Sequence, residues 1–157
     1  MSARNYHTNV ATAVHLQFSA GHRLLAPGHR CSHLHGHNYV AECHAVRERP
    51  ADPGRPIRLD CDIVRERLKG WIVAHWDHRF IAWSGDDLMQ HLVDENGEEA
   101  GIFFLPRQPS PENLAWYLCE VVGPAVLSDA GFGLTWVGIN ETANYGGWAT
   151  VVPGGPE

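Results

Sequence analysis

From Val14 onward the chain alternates. Val14, Leu16 and Phe18 fall on one phase and His15, Gln17 and Ser19 on the other, which predicts a half-buried strand. A second strand is expected from about Gly36 to Val46, with Val40 and Val46 among its β-branched residues. Between the two, the stretch from Gly21 to Leu34, rich in Gly, Pro, His and Arg, reads as a loop. The Pro- and Gly-dense run from Arg49 to Pro56 marks a connection without regular structure. Beyond it, Val64, Leu68, Trp71, Ile72 and His75 recur at helical spacing, with Asp60 or Asp62 placed to cap the first turn. Ser110-Pro111-Glu112 predicts the start of a second helix. Ser caps free amides, Pro is preset for the first helical position and Glu suits the positive end of the dipole. Leu114, Leu118, Val121 and Val122 form its apolar stripe. Leu134 to Thr142 and Trp148 to Val152 predict two closing strands turning around Gly146-Gly147.

The order strand, strand, helix, helix, strand, strand predicts an α+β architecture, a four-stranded antiparallel sheet with two helices on one face. Residues 1–12 are polar and unpatterned and read as a flexible N-terminal tail before a single domain spanning 13–157. Residues 84–109 carry less pattern, and the acidic run from Asp94 to Glu99 reads as a solvated turn.

Composition narrows the function. The chain has 157 residues, 44% hydrophobic and 19% charged, the make-up of one compact domain. Twelve Lys and Arg stand against 18 Asp and Glu, so the net charge of −6 supplies no basic field for nucleic acid. No apolar run has the length of a membrane span, and the opening residues lack the apolar stretch of a signal peptide, so a cytoplasmic protein with no membrane partner is expected. In that compartment Cys31, Cys43, Cys61 and Cys119 are expected as free thiols.

The eleven histidines are the unusual feature, because His22, His29, His33, His35 and His37 fall within sixteen residues. His35 and His37 lie two apart on a predicted strand, which sends both rings to one face. His22 sits at the end of the neighbouring strand, where its ring completes a three-histidine set, and Gly36 permits close backbone approach. Imidazoles suit zinc, and three protein ligands with an open fourth position describe a catalytic Zn2+ site. Two other readings stay open: surface histidines without a metal, and a closed structural site with Cys31 as fourth ligand. A Cys31 held beside the metal without binding it would gain thiolate character and act as base or nucleophile. Asp77-His78 is a pair in which a carboxylate can orient an imidazole for proton transfer, although a helix-terminal histidine is also a simple cap. Glu141 has the chemistry to accept from two adjacent donors on an amidine-like ring edge, such as that of guanine or pterin. Taken alone, it reads as a solvent-facing strand residue.

Together these residues resemble a family pattern. Phe18-Ser19-Ala20-Gly21-His22-Arg23-Leu24, Gly28-His29-Arg30-Cys31, Leu34-His35-Gly36-His37-Asn38-Tyr39, Trp76-Asp77-His78, Pro109-Ser110-Pro111-Glu112-Asn113-Leu114-Ala115 and Glu141-Thr142 follow one another as in the 6-pyruvoyltetrahydropterin synthase family. The similarity is greatest to its 6-carboxytetrahydropterin synthase branch of 7-deazaguanine (queuosine) biosynthesis. The resemblance implies a T-fold (tunnelling fold) whose subunits join their sheets into an oligomeric barrel, a homohexamer built as a dimer of trimers with active sites between subunits. It also implies His22, His35 and His37 as zinc ligands, Cys31, Asp77 and His78 as the proton-transfer group, and Glu141 with Thr142 as the pterin contact. The implied reaction converts 7,8-dihydroneopterin triphosphate to 6-carboxy-5,6,7,8-tetrahydropterin, acetaldehyde and triphosphate. A pyruvoyl-forming synthase and a catalytically silent zinc- and pterin-binding scaffold are the alternatives. Three residues between Cys31 and His35 are similar to the carboxy-forming branch, and the absence of glutamate between Gly28 and His37 disfavours the branch that uses one in this loop. The chain departs from the pattern at Gly21, Arg79 and Val151, and residues 86–105 form a longer insert than in compact members.

Overall fold

The computed structural model describes residues 11–47 and 57–151. Two long strands, β1 (Ala11–His22) and β2 (His35–Arg47), form its spine. They pair antiparallel over their full length, from Ala11 opposite Val46 to His22 opposite His35. Strand β5 (Phe132–Asn140) adds to β2 and β6 (Gly146–Thr150) to β5, both antiparallel, with a register shift between His44 and Ala45. These are the four predicted strands. Helices α1 (Ile57–His75) and α3 (Pro111–Tyr117) pack on one face of them. Ser110 caps α3 by accepting from the Asn113 amide, with Pro111 behind it, as its sequence predicts. The helix then widens through a π turn (Leu118–Val122) into α4 (Gly123–Leu127). Pro124, which offers no N–H and crowds the preceding turn, accounts for that irregularity.

Three elements extend the predicted frame. Strand β3 (Arg79–Trp83) lies parallel beside β1, helix α2 (Asp87–Asn96) follows, and β4 (Ile102–Leu105) lies parallel beside β3. The six-stranded order is therefore β4-β3-β1-β2-β5-β6. The insert at 86–105 is thus a strand-bearing unit. Its acidic residues 94–99 are exposed as expected, but they close α2 and a short 3-10 turn, where Gly97 and Gly101 take positive φ.

Other boundaries also move. The expected tail through residue 12 overlaps β1, in which Thr12 is buried; residues 1–10 lie outside the described residues. Neither Asp60 nor Asp62 caps α1, because that helix begins at Ile57 and Asp60 in its first turn ion-pairs with Arg47. The turn between β5 and β6 is made by Glu141 to Tyr145, with the Glu141 and Thr142 amides donating to the Tyr145 carbonyl. Gly146 and Gly147 instead pair within β6, opposite Asn140 and Ile139. A side chain at Gly147 would meet the Glu112 backbone nitrogen at 2.6 Å, so close packing against α3 is what requires glycine there.

The core lies between sheet and helices. Val14, Leu16, Phe18 and Ala20 from β1 meet Tyr39, Ala41, Cys43 and Ala45 from β2, with Val64, Leu68, Ile72 and Trp76 above them. Phe18 stacks on Tyr39 at 5.0 Å between ring centres. The alternation that buries this face carries His22, His35 and His37 onto the same side.

Candidate metal centre and active site

The end of the β1/β2 ladder builds a candidate metal centre. His22 is the last residue of β1, His35 the first of β2, and His37 lies opposite Ala20. Between the two β2 histidines, Gly36 faces the β1 backbone so closely that a Cβ would sit 2.8 Å from the Ala20 carbonyl oxygen. Ring centres of His22 lie 4.5 Å from His35 and 5.2 Å from His37, and those of His35 and His37 are 5.1 Å apart. One ligand nitrogen from each of the three falls within 4.8 Å of the other two.

Hydrogen bonds on the far side of two rings prepare them as ligands. His22 Nδ1 donates to the Pro109 carbonyl at 2.7 Å, and His35 Nδ1 to the His33 carbonyl at 2.8 Å. Each bond fixes a tautomer whose Nε2 lone pair is free for a metal. His22 is 1% exposed, and its Nε2 is buried without a hydrogen-bond partner. Burial, assisted by the neighbouring His35 and His37, lowers its pKa from 6.5 to about 4; His37 is lowered by the same desolvation, against the raising influence of Glu141. Neutral rings and an orphaned buried nitrogen fit a divalent cation of imidazole preference.

Glu141, directly after β5, does not face solvent. Its Oε2 is buried without a hydrogen-bond partner, 3.7 Å from His22 Nε2 and 3.8 Å from His37 Nε2. Thr142 follows it in the chain. It is exposed, and its Oγ1 accepts from the Asn144 and Tyr145 amides, which shapes the turn.

Cys31 lies in a short 3-10 turn (Arg30–Ser32) of the loop joining β1 to β2, half-buried, with its amide donating to His29 Nδ1. Its sulfur is outside the three-histidine set, so the centre is not a closed site of one cysteine and three histidines. Cys43 and Cys119 are buried core residues whose thiols burial pushes up to about 12 and about 11. All four cysteines are free.

Asp77 and His78 stand beside β1 where α1 gives way to β3. Asp77 Oδ1 accepts from the Ser19 amide at 2.9 Å and lies 3.1 Å from His78 Nδ1. The His78 amide donates to the Ser19 carbonyl at 2.7 Å. His78 has φ of 61°, the left-handed region that favours glycine, and its side chain is 82% exposed. An imidazole kept in this strained conformation points to a use for the ring. That ring shares a hollow of about 510 Å³ with Ser19, Gly21, His35, Gly36, His37, Asn38 and Arg79. Ser19 and Asn38, joined through Oγ and Oδ1 at 2.7 Å, belong to the strand phase opposite the buried one. Asp77 and His78 thus meet β1 at Ser19, on the strand phase opposite to that of His22, His35 and His37.

Comparison with known proteins shows the family. The family model described as 6-pyruvoyl tetrahydropterin synthase matches residues 11–152. The chain belongs to this family. Proteins named 6-carboxy-5,6,7,8-tetrahydropterin synthase from Rickettsia bellii and Rickettsia conorii are 28% and 30% identical to it over 130 and 129 residues, each match covering 82% of this chain and 91% of the relative. Among solved structures, an uncharacterized Wolinella succinogenes protein superposes with a TM-score of 0.69 at 20% identity, covering 91% of this chain and 98% of that one. Caenorhabditis elegans 6-pyruvoyl tetrahydropterin synthase does so with a TM-score of 0.61 at 22% identity, covering 92% and 97%. The fold is the T-fold of that family.

Within this 6-pyruvoyl tetrahydropterin synthase family member, several site groups carry no sequence signal of their own. The Pro109 and His33 carbonyls orient ligands, yet any residue supplies a carbonyl. Arg23 is bound in two places to the buried carboxylate of Asp86, the N-cap of α2. Helical spacing of Leu88, Met89 and Leu92 after Asp86 was the available signal for that cap.

Proposed function

We propose that the chain is a zinc-dependent 6-carboxy-5,6,7,8-tetrahydropterin synthase acting in the cytoplasm in 7-deazaguanine (queuosine or deazapurine) biosynthesis. With one water, it converts 7,8-dihydroneopterin triphosphate to 6-carboxytetrahydropterin, acetaldehyde and triphosphate. The observation that carries this reading is the convergence of three histidine nitrogens, two rings held through Nδ1 by backbone carbonyls, beside a carboxylate with no protein partner. The names of the Rickettsia relatives support the carboxy-forming reaction.

His22, His35 and His37 would hold the zinc ion. When bound, it would polarise the hydroxyls of the substrate side chain and acidify the neighbouring carbon-bound hydrogen. The protein's own groups do the rest. Glu141 Oε2 accepts from the donors on the pterin edge, fixing the ring against the metal face. Cys31, outside the ligand set, takes the carbon-bound proton as thiolate. His78, oriented by Asp77, moves the second proton, and Asp77 is itself fixed by the Ser19 amide.

Because His78 meets β1 at the strand phase opposite to that of the three histidines, the reading places His78 of one copy at the metal centre of a neighbour. It includes a homohexamer, a dimer of trimers, with sites between subunits. Incubation of the purified protein with 7,8-dihydroneopterin triphosphate, followed by mass spectrometry, is the test. A 6-carboxytetrahydropterin product with equimolar acetaldehyde is expected. A pyruvoyl product without acetaldehyde would reassign the chain to 6-pyruvoyltetrahydropterin formation, and no turnover by the zinc-loaded protein would reduce it to a binding scaffold.

A further inference from the structure

The loop from Arg23 to Leu34 carries Cys31 between two metal ligands, and most of its hydrogen bonds are internal. The Leu24 amide donates to the Cys31 carbonyl at 2.8 Å, the Ala26 amide to the Leu24 carbonyl, and the Ser32 amide to the His29 carbonyl. These bonds give the loop a shape without fixing where that shape sits on the protein. Among the described residues, two hydrogen-bonded links tie it to parts of the chain other than the adjoining strand β2, whose His35 Nδ1 donates to the His33 carbonyl. One is the Arg23–Asp86 pair. The other is a 2.7 Å bond from the Leu25 amide to Gln108 Oε1.

The second link joins Cys31 to the metal centre by a short path. Leu25 follows Leu24, whose amide holds the Cys31 carbonyl. Gln108 precedes Pro109, whose carbonyl orients His22. Gln108 is in turn held firmly, because its own carbonyl accepts from the Ser110 amide at 2.8 Å and from Asn113 Nδ2 at 2.9 Å at the start of α3. We propose that Gln108 is a positioning residue for Cys31, its side-chain carbonyl setting the sulfur-bearing loop at a fixed distance from the turn that orients His22. The role rests on the reading of Cys31 as the proton-accepting group given above. The side chain of Gln108 contributes no metal ligand, and its loss leaves the Pro109 carbonyl and all three histidines in place.

The test compares Gln108→Ala and Gln108→Glu with the wild-type zinc-loaded protein. A glutamate keeps an oxygen at the same reach for the Leu25 amide, and alanine removes it. For Gln108→Ala, zinc content is expected to stay at the wild-type level and kcat to fall roughly tenfold or more, since an ångström of misplacement costs catalysis on that scale. KM should change little, and Gln108→Glu should recover most of the rate. Two further readouts do not depend on substrate: hydrogen exchange at the Leu25 amide, and the rate of Cys31 alkylation by iodoacetamide measured on its peptide. Both are expected to change in Gln108→Ala and to return toward wild type in Gln108→Glu. Wild-type exchange, alkylation and kcat in Gln108→Ala would overturn the proposal. Altered exchange and alkylation in a protein whose wild type has no pterin turnover would keep the tether and refute the activity instead.

Discussion

Glu141 Oε2 lies 3.7 Å from His22 Nε2, and both atoms are buried without a hydrogen-bond partner. Two such atoms side by side are costly unless a ligand completes them. If the histidines take the metal and Glu141 takes the substrate, Glu141→Gln should retain stoichiometric zinc. It should also lose roughly 10- to 100-fold in kcat/KM, the worth of one hydrogen bond to a charged group. Metal analysis together with steady-state kinetics checks this. Loss of zinc in the variant would make Glu141 a ligand rather than a substrate anchor.

The strand ends tolerate little added volume. A Cβ at position 36 would approach the Ala20 carbonyl oxygen at 2.8 Å and the Gly21 Cα at 3.3 Å, both backbone atoms that cannot swing away. Gly36→Ala is therefore expected to push β1 and β2 apart where they carry His22, His35 and His37. The expected cost is about 1 to 3 kcal/mol of stability, the range for overpacking, with a weakened metal site. Denaturant melts and zinc titration of the purified variant test both parts.

Much of this was legible in the sequence, and the misses have a common cause. Alternation in β1 exposed its buried face, and His35-Gly36-His37 carried that phase into the metal centre. Strands β3 and β4 are five and four residues long, and their short apolar runs, Phe80-Ile81-Ala82-Trp83 and Ile102-Phe103-Phe104-Leu105, have no period to separate them from helix or loop. Glu141 reads as exposed from strand phase alone, since only the pairing of the β5 end with β2 brings its carboxylate inward beside His22 and His37. Gln108 leaves no trace at all, because its function lies in one contact with an amide 83 residues away.

Burial of His22 makes the metal-free protein acid-sensitive. Its ring stays neutral down to about pH 4, whereas in the unfolded chain it takes up a proton near pH 6.5. Between those values the unfolded state binds more protons, so stability falls as pH falls from about 6.5 to about 4, by about 3 kcal/mol at the low end. His37, also lowered, adds with the same sign. Asp86 and Glu42, both held below the ordinary carboxylate range, by Arg23 and by His44 with His15 respectively, lose their stabilisation only at lower pH. Urea unfolding of zinc-stripped protein at pH 7 and pH 5 isolates the histidine contribution. Equal stability at the two values would contradict it.

The opposite strand phases of Ser19, against which His78 sits, and of the three histidines make a prediction about mixtures. If Cys31 and His78 of one chain served the same site, Cys31→Ala and His78→Ala proteins would stay inactive in any combination. If each site takes Cys31 from one copy and His78 from its neighbour, a mixed oligomer contains some interfaces that hold both intact residues. Random co-assembly at equal amounts restores about a quarter of the sites, as expected when two independent copies must each be unmutated at one position. The two variants should be unfolded together, refolded with zinc and assayed beside each variant refolded alone. Recovery toward about a quarter of wild-type turnover in the mixture alone shows that the strained, exposed His78 works across an interface between copies. Its absence in confirmed mixed oligomers would require His78 to reach the metal centre of its own chain past the end of β1.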